Sequence, residues 1–146
     1  MASTNEFDIA RFILSKTGEI SAMKLQKLLY YCQAWSMVWD EEKLFDADFQ
    51  AWANGPVLPS VYDKHRGLFK VGENEFKNGD VSKLTEEQID TIEKVLDVYG
   101  SKTAQWLSNL THEEAPWIDA RKGLSPSDRS NNHITKGEIH SFYSGL

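Results

Sequence analysis

The stretch from Ser21 to Trp39, SAMKLQKLLYYCQAWSMVW, decides the architecture of this chain. Ser21 stands between Ile20 and Leu25, so its hydroxyl caps the first free amides of a helix while the two apolar neighbours staple the entry. From there Leu25, Leu28, Leu29, Cys32, Trp35 and Trp39 recur on one stripe at helical spacing. Tyr31, Ala34 and Val38 make the other face apolar too, with Lys24 and Lys27 keeping that face wet only at the helix start. A helix of roughly 30 Å, at 1.5 Å per residue, that is apolar nearly all round has to be covered on both sides. It is the expected centre of the fold, with Trp35 and Trp39 in the core.

The same start code recurs. Thr85 sits between Leu84 and Ile89 with Gln88 closing a capping box, and Thr135 sits between Ile134 and Ile139 with Glu138 in the same role. Ile89, Ile92, Leu96 and Tyr99 then define a helix ended by Gly100, and Ala104, Leu107 and Leu110 define another after Ser101, with Pro116 stopping that run or its following turn. Upstream, Ser3 with Glu6, or Asn5 alone, caps a helix from Phe7 to Lys16 that Gly18 ends. Pro56 and Pro59 bracket a turn into a short helix, Ser60 to Arg66, closed by Gly67.

Strand signals are few. Phe45 to Trp52, FDADFQAW, alternates apolar and polar residues with the period of a half-buried strand, and its nearby partners are Leu68 to Val71 and Glu75 to Lys77. Lys122 to His133, KGLSPSDRSNNH, reads as a loop. The expected fold is mainly α: a compact single domain over residues 1–146, of about five to seven helices, with one short β element near residues 45–52.

Composition narrows the function. Acidic residues outnumber basic ones by 22 to 16, for a net charge of -6, so no overall positive field draws phosphate backbones and nucleic acid is a disfavoured partner. Cys32, the only cysteine, can form no internal disulfide or thiol pair, and it lies on the apolar stripe, where a thiol acts as a small hydrophobe. No apolar run approaches the roughly 20 residues that span a bilayer, and MASTNEFD lacks the pattern of a secretory signal. A cytoplasmic location is expected.

Enzyme chemistry finds no foothold. His112-Glu113-Glu114 begins a zinc-protease pattern, but position 116, where the second His would stand, is Pro116. His65, His133 and His140 are scattered, no Gly-rich phosphate loop or Gly-x-Ser-x-Gly elbow is present, and Glu41-Glu42, Glu86-Glu87 and Glu113-Glu114 are neighbours that point apart on a helix. No catalytic residue, cofactor or metal is expected. A helix-turn-helix reading through Thr17-Gly18-Glu19 would make the second helix the DNA reader, yet Lys24 and Lys27 are its only cations.

The aromatic residues leave two roles open, core and partner surface. Trp52 and Tyr62 flank the Asn54-Gly55-Pro56 turn on or beside the polar side of the strand, and Trp106 is off the Ala104, Leu107, Leu110 stripe. Trp and Tyr are favoured at the buried centres of interfaces.

Three pieces in order carry a resemblance: Leu25-Gln26-Lys27-Leu28-Leu29-Tyr30-Tyr31, then Ala51-Trp52 with Gly55-Pro56-Val57 and Tyr62, then Thr111-His112 with Pro116-Trp117. Together they resemble the Panacea domain, also called the SocA-like antitoxin domain, over about two thirds of the chain. The resemblance implies a mainly helical domain without enzymatic activity that acts as an antitoxin of a bacterial or prophage pair, binding a cognate protein toxin. Some relatives deliver the toxin to a protease, which adds a protease component as a partner. The alternative is a regulatory or adaptor module, binding DNA or a protease, with no toxin of its own. Cys32 stands where a small residue such as Ala is usual, and Leu68 to Lys83 and Lys122 to His133 match nothing in the family pattern.

The expected partner surface comprises Trp52, Asn54, Tyr62, His65, Trp106, His112 and Trp117. Trp52, Asn54, Tyr62, His112 and Trp117 are expected to converge on one surface that either contacts the toxin or braces the elements that do. His112 has a second role open to it, as a buried hydrogen-bond donor that pins the Asn54-Gly55-Pro56 turn.

Overall fold

A single central helix organises the protein, whose structure, a computed structural model, describes residues 4–146. This is α2, Ala22–Trp39, and every residue from Leu25 to Ala34 along it is buried. Around it pack α1 (Glu6–Thr17), α4 (Glu86–Tyr99), α5 (Ala104–His112) and α7 (Lys136–Ser144). Two short helices, α3 (Pro59–His65) and α6 (Ala115–Ala120), bring the total among the described residues to seven.

The caps sit where local chemistry placed them. Ser21 accepts from the Lys24 amide, and Thr85 with Gln88 and Thr135 with Glu138 form reciprocal boxes. For α1 the cap is Asn5, boxed with Asp8, and Glu6 is already in the helix; Ser3 lies outside the described residues. Pro116 does not stop α5. It is the second residue of α6, where a missing amide costs no hydrogen bond, so it opens a helix.

The β structure departs most from expectation. The strand is β2, Phe49–Trp52, not residues 45–52. Phe45 is buried as the alternation implied, but its backbone is held by a side chain: Gln33 Nε2 donates to Phe45 O at 2.9 Å, and Gln33 Oε1 accepts from the Leu44 amide at 2.7 Å. Nor does β2 pair with residues 68–71 or 75–77. Its neighbours are β3 (Gly55–Val57) on one side and β5 (His133–Ile134) on the other, both antiparallel. The reversal falls at Ala53 and Asn54, and Gly55 and Pro56 belong to a strand. Lys70–Val71 is β4, paired instead with β1, Ile20–Ser21, while Glu73–Phe76 is a 3-10 turn. The β content among the described residues is thus two small antiparallel sheets.

Two residues of α2 are placed differently from their helical phase. Trp39 is 47 % exposed and stacks on the half-buried Trp35 at 5.1 Å between ring centroids, although Ser36 and Met37 of the same turn are buried. Lys27 is fully buried. Cys32 is a buried thiol as expected, and burial pushes its pKa up, which keeps it protonated and unreactive.

The C-terminal helix is tied in by a polar cluster. Tyr31 and Tyr143 both donate to Glu114 Oε1, at 2.6 and 2.7 Å, and the Tyr143 and Tyr30 hydroxyls meet at 3.1 Å. Burial raises the Glu114 pKa, and the two tyrosine hydroxyls work against that rise.

Candidate functional site

The β2–β3 hairpin is held from within by side chains that donate to its carbonyls one after another. Arg121 Nη1 donates to Ala51 O at 2.9 Å, Trp117 Nε1 to Trp52 O at 2.8 Å, Ser108 Oγ to Asn54 O at 2.6 Å and Lys27 Nζ to Pro56 O at 3.2 Å. His112 stands beside the same row, against the Ala53 backbone. Just past the hairpin, Gln26 brackets Leu58, its Oε1 accepting from Leu58 N at 2.9 Å and its Nε2 donating to Leu58 O at 3.3 Å. Short strands whose ladders are only two or three pairs long gain a fixed position this way.

Gly55 is the hinge of that arrangement. Its φ of +119° lies in a region that disfavours L side chains, and a Cβ there would come within 2.4 Å of Lys27 Cε. The lysine stem occupies the space where a side chain would stand. Among the described residues its ammonium has only Pro56 O and Met23 Sδ, at 3.4 Å, as partners. With no carboxylate beside it, burial lowers its pKa to about 7.

His112 stacks on Trp117, ring centroids 4.1 Å apart, and Arg121 lies 5.0 Å from the Trp117 ring on which it too rests. Desolvation lowers the His112 pKa, the charges of Lys27 and Arg121 lower it further, and the Ala53 backbone opposes them. His112 is therefore neutral at pH 7, and its Nε2 is buried with no hydrogen-bond partner among the described residues. It acts as a brace. Trp117→Phe keeps the stack but leaves Trp52 O without its donor, and is expected to cost about 1–3 kcal/mol of stability, read by urea denaturation.

The outward face of the same hairpin is free. Trp52 rests edge-on against Tyr62 of α3 at 4.9 Å, and its Nε1 donates to Gln50 Oε1 at 2.9 Å. This pair lines an open groove of about 940 Å³ whose floor includes Gln50, Trp52 and Val57. Asn54 borders it at the reversal and His65 on the α3 side. His65 is not available as a cation, because desolvation lowers its pKa and its Nε2 lies 3.0 Å from Gln26 Nε2, which makes the ring nitrogen the acceptor.

These motif residues fall together in a domain that a family model recognises: the model for the antitoxin SocA-like Panacea domain matches residues 25–118. The chain belongs to this antitoxin family. No curated protein and no solved structure matches the chain.

In this Panacea domain the residues expected at one surface divide. Trp52, Asn54, Tyr62 and His65 line the groove, whereas His112 and Trp117 stand behind the hairpin and hold it. Trp106 joins neither group: it is exposed on α5 with Lys102 over its ring at 4.8 Å. Sequence reasoning missed Gln26, Lys27, Ser108 and Arg121. A usable signal existed for the first two, since a Gln-Lys pair inside a helix apolar all round has to find buried partners. Arg121 carried none, yet it also organises the loop after Ala120, donating through Nη2 to Ser125 O and Asp128 O at 3.0 and 2.7 Å.

Proposed function

We propose that this protein neutralises a cognate protein toxin by direct binding, with the outward face of the pinned hairpin and its groove as the contact surface. The observation that carries this reading is the division of the motif residues. One set spends its polar atoms on hairpin carbonyls, and what that scaffold presents is a Trp52–Tyr62 pair in a groove. Aromatic anchors set in a concave, rigid surface are the usual centres of protein interfaces. Membership of an antitoxin family supplies the kind of partner.

A reading through DNA is poorly supported, because the helix that would enter a groove, α2, is buried on all sides over most of its length. No helix among the described residues is long and apolar enough to cross a membrane.

The test is co-expression with the neighbouring reading frame. That frame should arrest growth alone and be relieved by this protein. Trp52→Ser and Tyr62→Ser act on half-exposed rings, so each should leave stability within about 1 kcal/mol of the parent and weaken toxin binding by about 2 kcal/mol or more, some 30-fold in Kd. Binding by the folded variants at parental affinity rules out this surface, and failure to find an arresting partner rules out the antitoxin role.

A further inference from the structure

The chain carries a net charge of -6, with 22 carboxylate side chains, yet none of them lines the groove. The charged side chain that does is Arg129, in the loop leading into β5, and it has no ion-pair partner among the described residues. A second arginine, Arg66, lies 5.4 Å from the Tyr62 ring, its one acidic neighbour being Asp63 at 3.6 Å. On the α3 side the groove is edged by Leu68 and Phe69, exposed at 46 % and 77 %. An apolar side chain so exposed beside an aromatic floor marks a contact surface.

We infer that this groove takes an extended segment of the partner protein that carries a large apolar residue together with an aspartate or glutamate. Phe69, Leu68 and Trp52 receive the apolar side chain, and Arg129 receives the carboxylate. The volume, about 940 Å³, exceeds what one side chain fills and suits a run of several residues. No carboxylate lines the groove to repel an acid seated there, and Arg129 offers it a cation. Arg129 lies beyond the residues the family model matches, whereas Leu68 and Phe69 lie within them, so this reading assigns partner selection chiefly to Arg129. The inference rests on the proposed antitoxin surface, but it concerns what that surface accepts.

A displayed library of random octapeptides, selected on the full chain at moderate salt, tests it. Peptides enriched on the parent should carry an acid near a large apolar residue. Their binding should fall at least tenfold in Arg129→Glu and in Phe69→Ser, and selection on Arg129→Glu should favour lysine or arginine in place of the acid. Both side chains are exposed, so neither change disturbs the core. No enrichment, enrichment without acids, or binding untouched by the two variants overturns the inference. If a toxin is neutralised equally by the parent and both variants, the inference falls and the antitoxin role stands. If acidic peptides bind but no neighbouring frame is toxic, the reverse holds.

Discussion

Gly55→Ala will destabilise the protein by about 3–5 kcal/mol. Two costs act together: a non-Gly residue held in a sparsely populated backbone region costs about 1–3 kcal/mol, and the new methyl meets the Lys27 stem at 2.4 Å. Lys27 cannot move aside without giving up Pro56 O, and a buried carbonyl left without a donor costs about 1–3 kcal/mol. Because a domain of this size is stable by only about 5–15 kcal/mol, the variant will unfold at markedly lower urea. A double-mutant cycle separates the two terms. In a Lys27→Ala background the clash disappears and the Gly55→Ala penalty shrinks to the backbone part. An equal penalty in both backgrounds would show that the lysine does not need the space the glycine leaves.

Lys27→Met will change the sign of its effect with pH. The folded pKa is depressed by burial from the ordinary 10.5 to about 7. Between those values the unfolded chain binds a proton that the folded chain does not, so the parent loses stability as pH falls from 10.5 towards 7 and carries the whole penalty below that. The penalty is of the order of 5 kcal/mol as an upper bound. Methionine removes it at similar volume and forfeits one hydrogen bond worth about 1–3 kcal/mol. The variant should therefore be more stable than the parent by about 2–4 kcal/mol near pH 7 and slightly less stable above pH 10.5. Denaturant midpoints of the pair across pH 7–10 read the crossing, and parallel curves would show that Lys27 does not titrate in that range.

These two residues also show where the sequence could and could not be read. Helix starts are written within four residues, so Ser21, Thr85 and Thr135 were legible as caps, and the all-round apolar character of α2 placed it at the centre. The alternation up to Trp52 made β2 legible, though shorter than that reading, while strands of two or three residues carry no period. The partner of Phe49 is Ile134, in another part of the chain and next to a polar tract. Lys27 was placed on a wet face because a cation belongs there by default, and what buries it is a glycine that leaves room for its stem. For the proposed site, the family motifs gave residues that gather about one hairpin without saying on which side of it each stands. Nothing local distinguishes Trp52, which faces the groove, from Trp117, which donates to the Trp52 carbonyl from behind.

The row of side chains bonded to the hairpin carbonyls bears on how quickly and with what heat the protein meets its partner. A surface whose backbone is already fixed needs no folding step on contact, so association should follow a single bimolecular phase. Little chain entropy is then surrendered, and more of the contact energy appears as affinity. Calorimetry should accordingly find a heat-capacity change set by the apolar area covered, without the larger excess that accompanies coupled folding.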